Sequence, residues 1–254
     1  MIGTHFQRPI IIIGMHRSGT SLVAKLLHDA GVNMGAHRDH NEESMPFLSV
    51  NQQMLAAVGN SWIDPQLINV EYSSSESAIS MFVNHFQIDP NDYSWNGKPR
   101  GWLIKWRLNK PWGFKDPRST FTLEAWLKLF PKAKVIHVVR HPGSVADSLR
   151  RRNDVEGEVY DERLNDVRFN VNLWKQYVER ALTQTSRLPK RRVMTIQYEA
   201  LLEGGQILTD LGRFVGVNLV HSFAERIHPD RAVKPSEIDL SEVADLMSKF
   251  GYSQ

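Results

Sequence analysis

Four isoleucines in a row, Ile10 to Ile13, stand before Gly14, and beyond a short polar turn Leu22, Val23, Leu26, Leu27 and Ala30 return at helical spacing. A strand covered on both faces loses its polar alternation and reads as a continuous apolar run. The pattern predicts a buried parallel strand over 10–13, a turn from Gly14, and a helix that stops at Gly31. The same order of parts comes back twice. The stretch "STFTLEAWLKLF" reads as a helix before the strand "KVIHVV", Lys134 to Val139, and a long helical pattern from Phe169 to Leu188 precedes the strand "RVMTIQY", Arg192 to Tyr198. A short apolar strand also leads into Lys115 in "FKDPRS". Strands alternating with helices predict an α/β fold, a central parallel sheet flanked by helices in three layers, with ligands at the carboxyl ends of the strands. Gly14, Arg140 and Tyr198 fall at those ends.

Between Ser73 and Trp112 no strand signal appears, and polar residues mix with tryptophans. This predicts a mostly helical insertion with loops, spanning 64–111 in a single domain over 1–254, placed to wall a substrate. The charged stretch "RRRNDVEGEVYDER" reads as a solvated connector. Trp62, Trp95, Trp102, Trp106 and Trp112 suit either stacking on a planar or sugar ligand or filling a core.

Composition narrows the classes. With 41% hydrophobic residues in 254 the chain can bury a large core, which argues against general disorder. Thirty-one basic against 28 acidic residues leave a net charge of +3, too little for a nucleic-acid partner, so any anion site must be local. Cysteine is absent, which removes disulfides and thiolate chemistry. Ile10 to Ile13 is too short for a signal peptide or a membrane span, which predicts a soluble, cytoplasmic protein.

The turn "GMHRSGTS", Gly14 to Ser21, has the outline of a phosphate-binding loop, but Thr20 stands where a Walker lysine belongs and Arg17 sits inside the loop. Backbone amides around Gly14, Gly19 and Ser18 to Ser21 can hold an anion without that lysine, Arg17 can supply a cation, and Thr20 and Ser21 supply hydroxyls. The strand over 134–139 ends in Arg140, where a nucleotide triphosphatase carries a magnesium-binding aspartate. Arginine binds phosphate directly through its planar fork. Pro142 suits a first helical turn, and Ser144 and Ser148, four residues apart, share one helix face, so Arg140 and Ser148 can clamp one phosphate between them. Pairing of Arg140 with Asp147 is the alternative.

Two anion sites without a metal aspartate resemble the sulfotransferase family that uses 3′-phosphoadenosine 5′-phosphosulfate (PAPS). The resemblance rests on "GMHRSGTSL", on Arg140, Pro142 and Ser148, on "WGFKDPRSTFTLEAWLKLFPKAKVIHVVRHP" and on "VMTIQYEALL". It implies that His16 and the loop around it hold the 5′-phosphosulfate, that Arg140 and Ser148 hold the 3′-phosphate, and that no metal takes part. It also implies that Lys115 meets the bridging oxygen, oriented by Asp116 and Arg118, and that "HPDRAVKPSE" closes over the nucleotide through Arg231 and Lys234. The acceptor is a small-molecule, glycan or peptide hydroxyl. Tyrosylprotein sulfotransferases, which resemble the chain in the loop and in "KDP", imply a glutamate base at Glu43 or Glu42, Glu43 being preferred; His40 and His37 are the other candidates. A divergent kinase using ATP and Mg²⁺ and a catalytically inactive nucleotide-binding protein are the competing readings, against which the missing lysine and aspartate and the presence of Lys115 and Glu43 weigh.

Overall fold

Ile10 and Ile12 enter one apolar cluster and Ile11 and Ile13 the opposite one, which is why strand β1 (Ile10–Gly14) shows no alternation. A computed structural model of the chain describes residues 8–35, 38–65, 111–155, 160–219 and 238–252. Strand β1 lies between β2 (Gly113–Lys115) and β3 (Lys134–Val139), and β3 pairs with β4 (Val193–Gln197), giving a parallel sheet in the order β2-β1-β3-β4. The inner strands have no exposed face, so each isoleucine of β1 contributes about 1.5–3 kcal/mol of burial.

Helix α1 (Thr20–Asp29) covers one face of the sheet with α6 (Tyr198–Glu203) and α7 (Gln206–Val215). Gly31, at φ +91°, receives the end of α1 as expected, its N–H bonding to the His28 carbonyl. The opposite face carries α2 (Met45–Ala56), α3 (Ser119–Leu129), α4 (Pro142–Asn153) and α5 (Val167–Ser186), with α8 (Ala244–Ser248) packed beside them. The layers are therefore helix, sheet, helix. Trp112 and Trp126 fill the core with Phe47 and Phe130, so Trp112 is a packing residue. Among the described residues no helix is long and apolar enough to cross a membrane.

Two expectations change. Tyr198 opens α6 instead of ending β4. The stretch from Arg150 to Arg163 is only partly a connector: Arg150 to Asn153 finish α4, and buried Asn153 accepts from the Asp161 N–H and donates to Asn165. An asparagine that can satisfy two backbone and side-chain partners at once folds the charged stretch back on the helix. The insertion at 64–111 lies outside the described residues apart from its edges, and with it Trp95, Trp102 and Trp106.

Candidate active site

The turn after β1 is shaped by contacts that only glycine permits. A β-carbon on Gly14, at φ +144°, would lie 2.4 Å from the Val138 carbonyl oxygen, and one on Gly19, at φ +93°, would lie 2.1 Å from the Tyr198 ring. Arg17 sits in the left-handed region at φ +67°, a strained conformation for a side chain of that size. The Gly14 N–H donates to Thr120 Oγ1 at 3.1 Å and the Ser18 N–H to the Met15 carbonyl at 3.2 Å, so these two amides hold the turn together. The amides of Gly19, Thr20 and Ser21 open α1 and have no acceptor among the described residues, as the first turn of any helix leaves them. Ser18 Oγ is buried with no partner, while Ser21 Oγ donates to the Asn41 carbonyl at 2.6 Å.

A cleft of about 540 Å³ opens above this turn. Among the described residues, Arg17, Lys115, Arg140, Arg151 and Arg152 line it against a single carboxylate, Glu43. Four elements supply these cations, so a chain of modest net charge acquires a strongly positive site. Arg140 leaves the end of β3 and lies over Tyr198, its guanidinium carbon 4.5 Å from the ring centre. Among the described residues it donates one hydrogen bond, to the Arg17 carbonyl at 3.2 Å, and its Nε is buried without a partner. Burial pushes its pKa down, with Tyr198 and Glu199 opposing the shift. Asp147, the alternative partner, pairs with Arg150 at 3.9 Å. Ser148, one and a half turns into α4, accepts from Arg17 Nε at 3.0 Å, so the residues expected at the two ends of the nucleotide meet. Arg151 and Arg152 follow Ser148 on the same helix face. They escaped the sequence reading because the run of arginines looked like solvated charge; the spacing of three and four from Ser148 was the available signal.

Glu43 is buried and gripped from two sides, by Lys115 Nζ at 3.2 Å and Arg118 Nη1 at 2.8 Å. Arg118 also donates to Asp116 Oδ1 at 3.0 Å, and Asp116 Oδ2 accepts from Asn51 of α2 at 2.8 Å. Burial pushes the Asp116 carboxyl up to about 6 against the pull of Arg118. Burial also lowers the Lys115 pKa, with Glu43 opposing the shift, whereas for Arg118 the carboxylates of Asp116 and Glu43 outweigh burial and raise it. Glu42 turns away, at φ +64°, to pair with Lys25 and Arg38 at 3.5 and 3.3 Å. Its neighbour is therefore the glutamate that faces the cleft. His40 lies outside it beside Asn41, and His37 lies outside the described residues, as do Arg231 and Lys234.

His16 completes the loop side of the cleft. Its ring lies tilted against Trp62, centroids 4.4 Å apart at 43°, with Arg152 over the same indole at 5.1 Å, and its Nε2 is buried without a partner among the described residues. Burial, then the charges of Arg118 and Lys115, hold its pKa well below the ordinary histidine value, so it is neutral at neutral pH. Among the described residues no group of three or more histidine or carboxylate side chains is placed to hold a metal.

Residues 9–218 match the model of the sulfotransferase family. No curated protein matches the sequence significantly. Solved structures share the fold: the sulfotransferase domain of the curacin biosynthetic pathway, 19% identical, superposes with a TM-score of 0.60 over 97% of this chain and 98% of its own. That of the Synechococcus PCC 7002 olefin synthase, 17% identical, gives 0.57 over 100% and 98%. A sulfotransferase from Mycobacterium tuberculosis H37Rv, 16% identical, gives 0.51 over 96% and 76%.

Proposed function

The chain belongs to the sulfotransferase family, and from that premise we propose that it transfers a sulfuryl group from PAPS to an acceptor hydroxyl by in-line displacement. The observation that carries the reading is Arg140, a guanidinium at a strand end, over an aromatic ring, its Nε buried and unpartnered among the described residues within the positive cleft. Ser18 Oγ, the unengaged amides of Gly19 to Ser21, and a turn that leaves no room for a β-carbon at Gly19 suit an anion as well. These residues fit PAPS, which when bound supplies an activated sulfuryl group.

Arg17, the α1 amides and the Thr20 hydroxyl would hold the phosphosulfate end, joined by the Ser21 hydroxyl on giving up its bond to the Asn41 carbonyl, and Arg140 with Ser148 the 3′-phosphate. Glu43 would take the proton of the acceptor hydroxyl as that oxygen bonds to sulfur. Lys115, its partner, would meet the charge developing on the bridging oxygen as the sulfur–oxygen bond breaks. The two roles support one another: as Glu43 is neutralised, Lys115 loses a counter-ion at the moment a new negative charge appears beside it. The acceptor would be a small molecule, a glycan or a peptide, entering on the Glu43 side.

Titration calorimetry tests the reading. Adenosine 3′,5′-bisphosphate is expected to bind in the presence of a chelator and more tightly than adenosine 5′-phosphate. Strict dependence on Mg²⁺, or indifference to the 3′-phosphate, would overturn it.

A further inference from the structure

Hydrogen-bond pairing of β3 with β4 ends at Val139 and Gln197, and the next residues on each strand, Arg140 and Tyr198, face one another as guanidinium on ring. Beyond the ladder, something other than backbone pairing must fix how far apart these two sit. Glu199 spans the gap. Its Oε1 accepts the N–H of His141, the residue after Arg140, at 3.0 Å, and its Oε2 accepts the hydroxyl of Tyr252 at 2.6 Å. On the other side of Tyr198, Gln197 donates its amide to the Phe250 carbonyl. The Tyr252 ring stands edge-on to the His141 ring, centroids 5.5 Å apart at 89°. The segment bearing Phe250 and Tyr252 is itself held: Phe250 and Tyr252 donate their N–H groups to the carbonyl of Met247, a fully buried residue.

Resting on the reading of Arg140 as the 3′-phosphate ligand, we propose that Glu199 and Tyr252 are positioning residues for that ligand, clamping Arg140 against Tyr198 from a segment that lies beyond the family match at 9–218. Three residues fastened by this segment, Gln197, Glu199 and His141, immediately flank the Arg140–Tyr198 pair. Arg140 makes one hydrogen bond of its own, so its direction depends on the ring beneath it and on the backbone that carries it. The Glu199 charge, balanced by two donors, also lies close enough to favour the charged form of Arg140. Loss of the Tyr252 hydroxyl frees Glu199 Oε2 and lets the carboxylate swing off the His141 N–H toward Arg140, which removes the strap and places a competing anion at the phosphate site.

Calorimetry on the full chain separates positioning from simple support of the fold, because a fold defect weakens both nucleotides alike. Tyr252→Phe and Glu199→Ala are expected to lower the affinity for adenosine 3′,5′-bisphosphate by about five- to tenfold, the size of one ordinary net hydrogen bond. Affinity for adenosine 5′-phosphate, which lacks the group Arg140 binds, should stay within about twofold, and Glu199→Gln, which keeps an acceptor for His141, should restore most of the preference. If Arg140→Ala loses the preference for the bisphosphate while folded Tyr252→Phe and Glu199→Ala keep it, the positioning role is overturned and the nucleotide reading stands. Equal weakening of both nucleotides overturns it too. If Arg140→Ala keeps the preference, the 3′-phosphate reading fails and the positioning role with it.

Discussion

Gly19 and Tyr198 are 179 positions apart in sequence and share one small volume. Adding a methyl group to Gly19 puts it 2.1 Å from the ring that carries Arg140, at a φ of +93° that disfavours any side chain. Gly19→Ala is therefore expected to cost about 2 kcal/mol or more of stability, and to weaken bisphosphate binding at least about tenfold by displacing Tyr198. Denaturant unfolding and calorimetry read the two effects, and wild-type affinity would show that the ring does not hold the ligand-binding arginine. Glu43→Gln should leave bisphosphate affinity intact and reduce turnover by about a hundredfold or more, measured once an acceptor is found. Lys115→Ala should lower turnover and weaken PAPS binding together, because the same cation serves ground and transition states. The loop, Lys115 and Arg140 were legible because their signal is local: each follows an apolar strand within a few residues. The choice between Glu42 and Glu43 was not, since it depends on Asp39, whose carboxylate accepts the Asn41 and Glu43 N–H groups at 2.9 and 2.7 Å and turns the chain there.

Elements meet at the site through one asparagine. Asn51, on α2, donates to Asp116 and Ser119 at 2.8 and 2.9 Å, and accepts from Thr122 and Trp126 of α3 at 2.6 and 2.8 Å. All four of its hydrogen-bonding positions are used, and it is completely buried. Through Asp116 and Arg118 it sets the place of Glu43, so the packing of two helices and the aim of one carboxylate are the same arrangement. Asn51→Leu is expected to strand four buried polar groups and cost about 3 kcal/mol or more. A melting curve checks that, and a turnover loss larger than the unfolded fraction explains would support the link to Glu43. Periodicity foresaw α1, α3, α5, β1 and β3 because long or fully buried elements repeat their pattern. It gave β2 only as a short apolar lead-in, three residues being too few for any period, and it gave no sign of Asn51, whose partners come from elsewhere in the chain.

The sheet as a whole carries a polar group that no partner among the described residues satisfies. His137 sits in the middle of β3 between Ile13 and Thr195, fully buried, with neither ring nitrogen hydrogen-bonded, and burial alone pushes its pKa down to about 4. The folded protein thus holds His137 neutral where the unfolded chain, with an ordinary value of 6.5, takes up a proton. Its contribution is full above pH 6.5 and is lost as pH falls toward 4, because the unfolded state binds the extra proton over that window. Asp116 works in the opposite direction: raised to about 6, it binds a proton in the folded state first, so its contribution declines as pH rises from 3.8 toward 6. The two partly cancel in the wild-type curve, and only a difference between proteins isolates the histidine. His137→Leu removes one titration and leaves the other. Relative to this variant, the wild type should lose up to about 3 kcal/mol of unfolding free energy between pH 7 and about pH 4. Urea unfolding of both proteins across that range measures it, and parallel curves would mean that the folded protein protonates His137 as readily as the unfolded chain does.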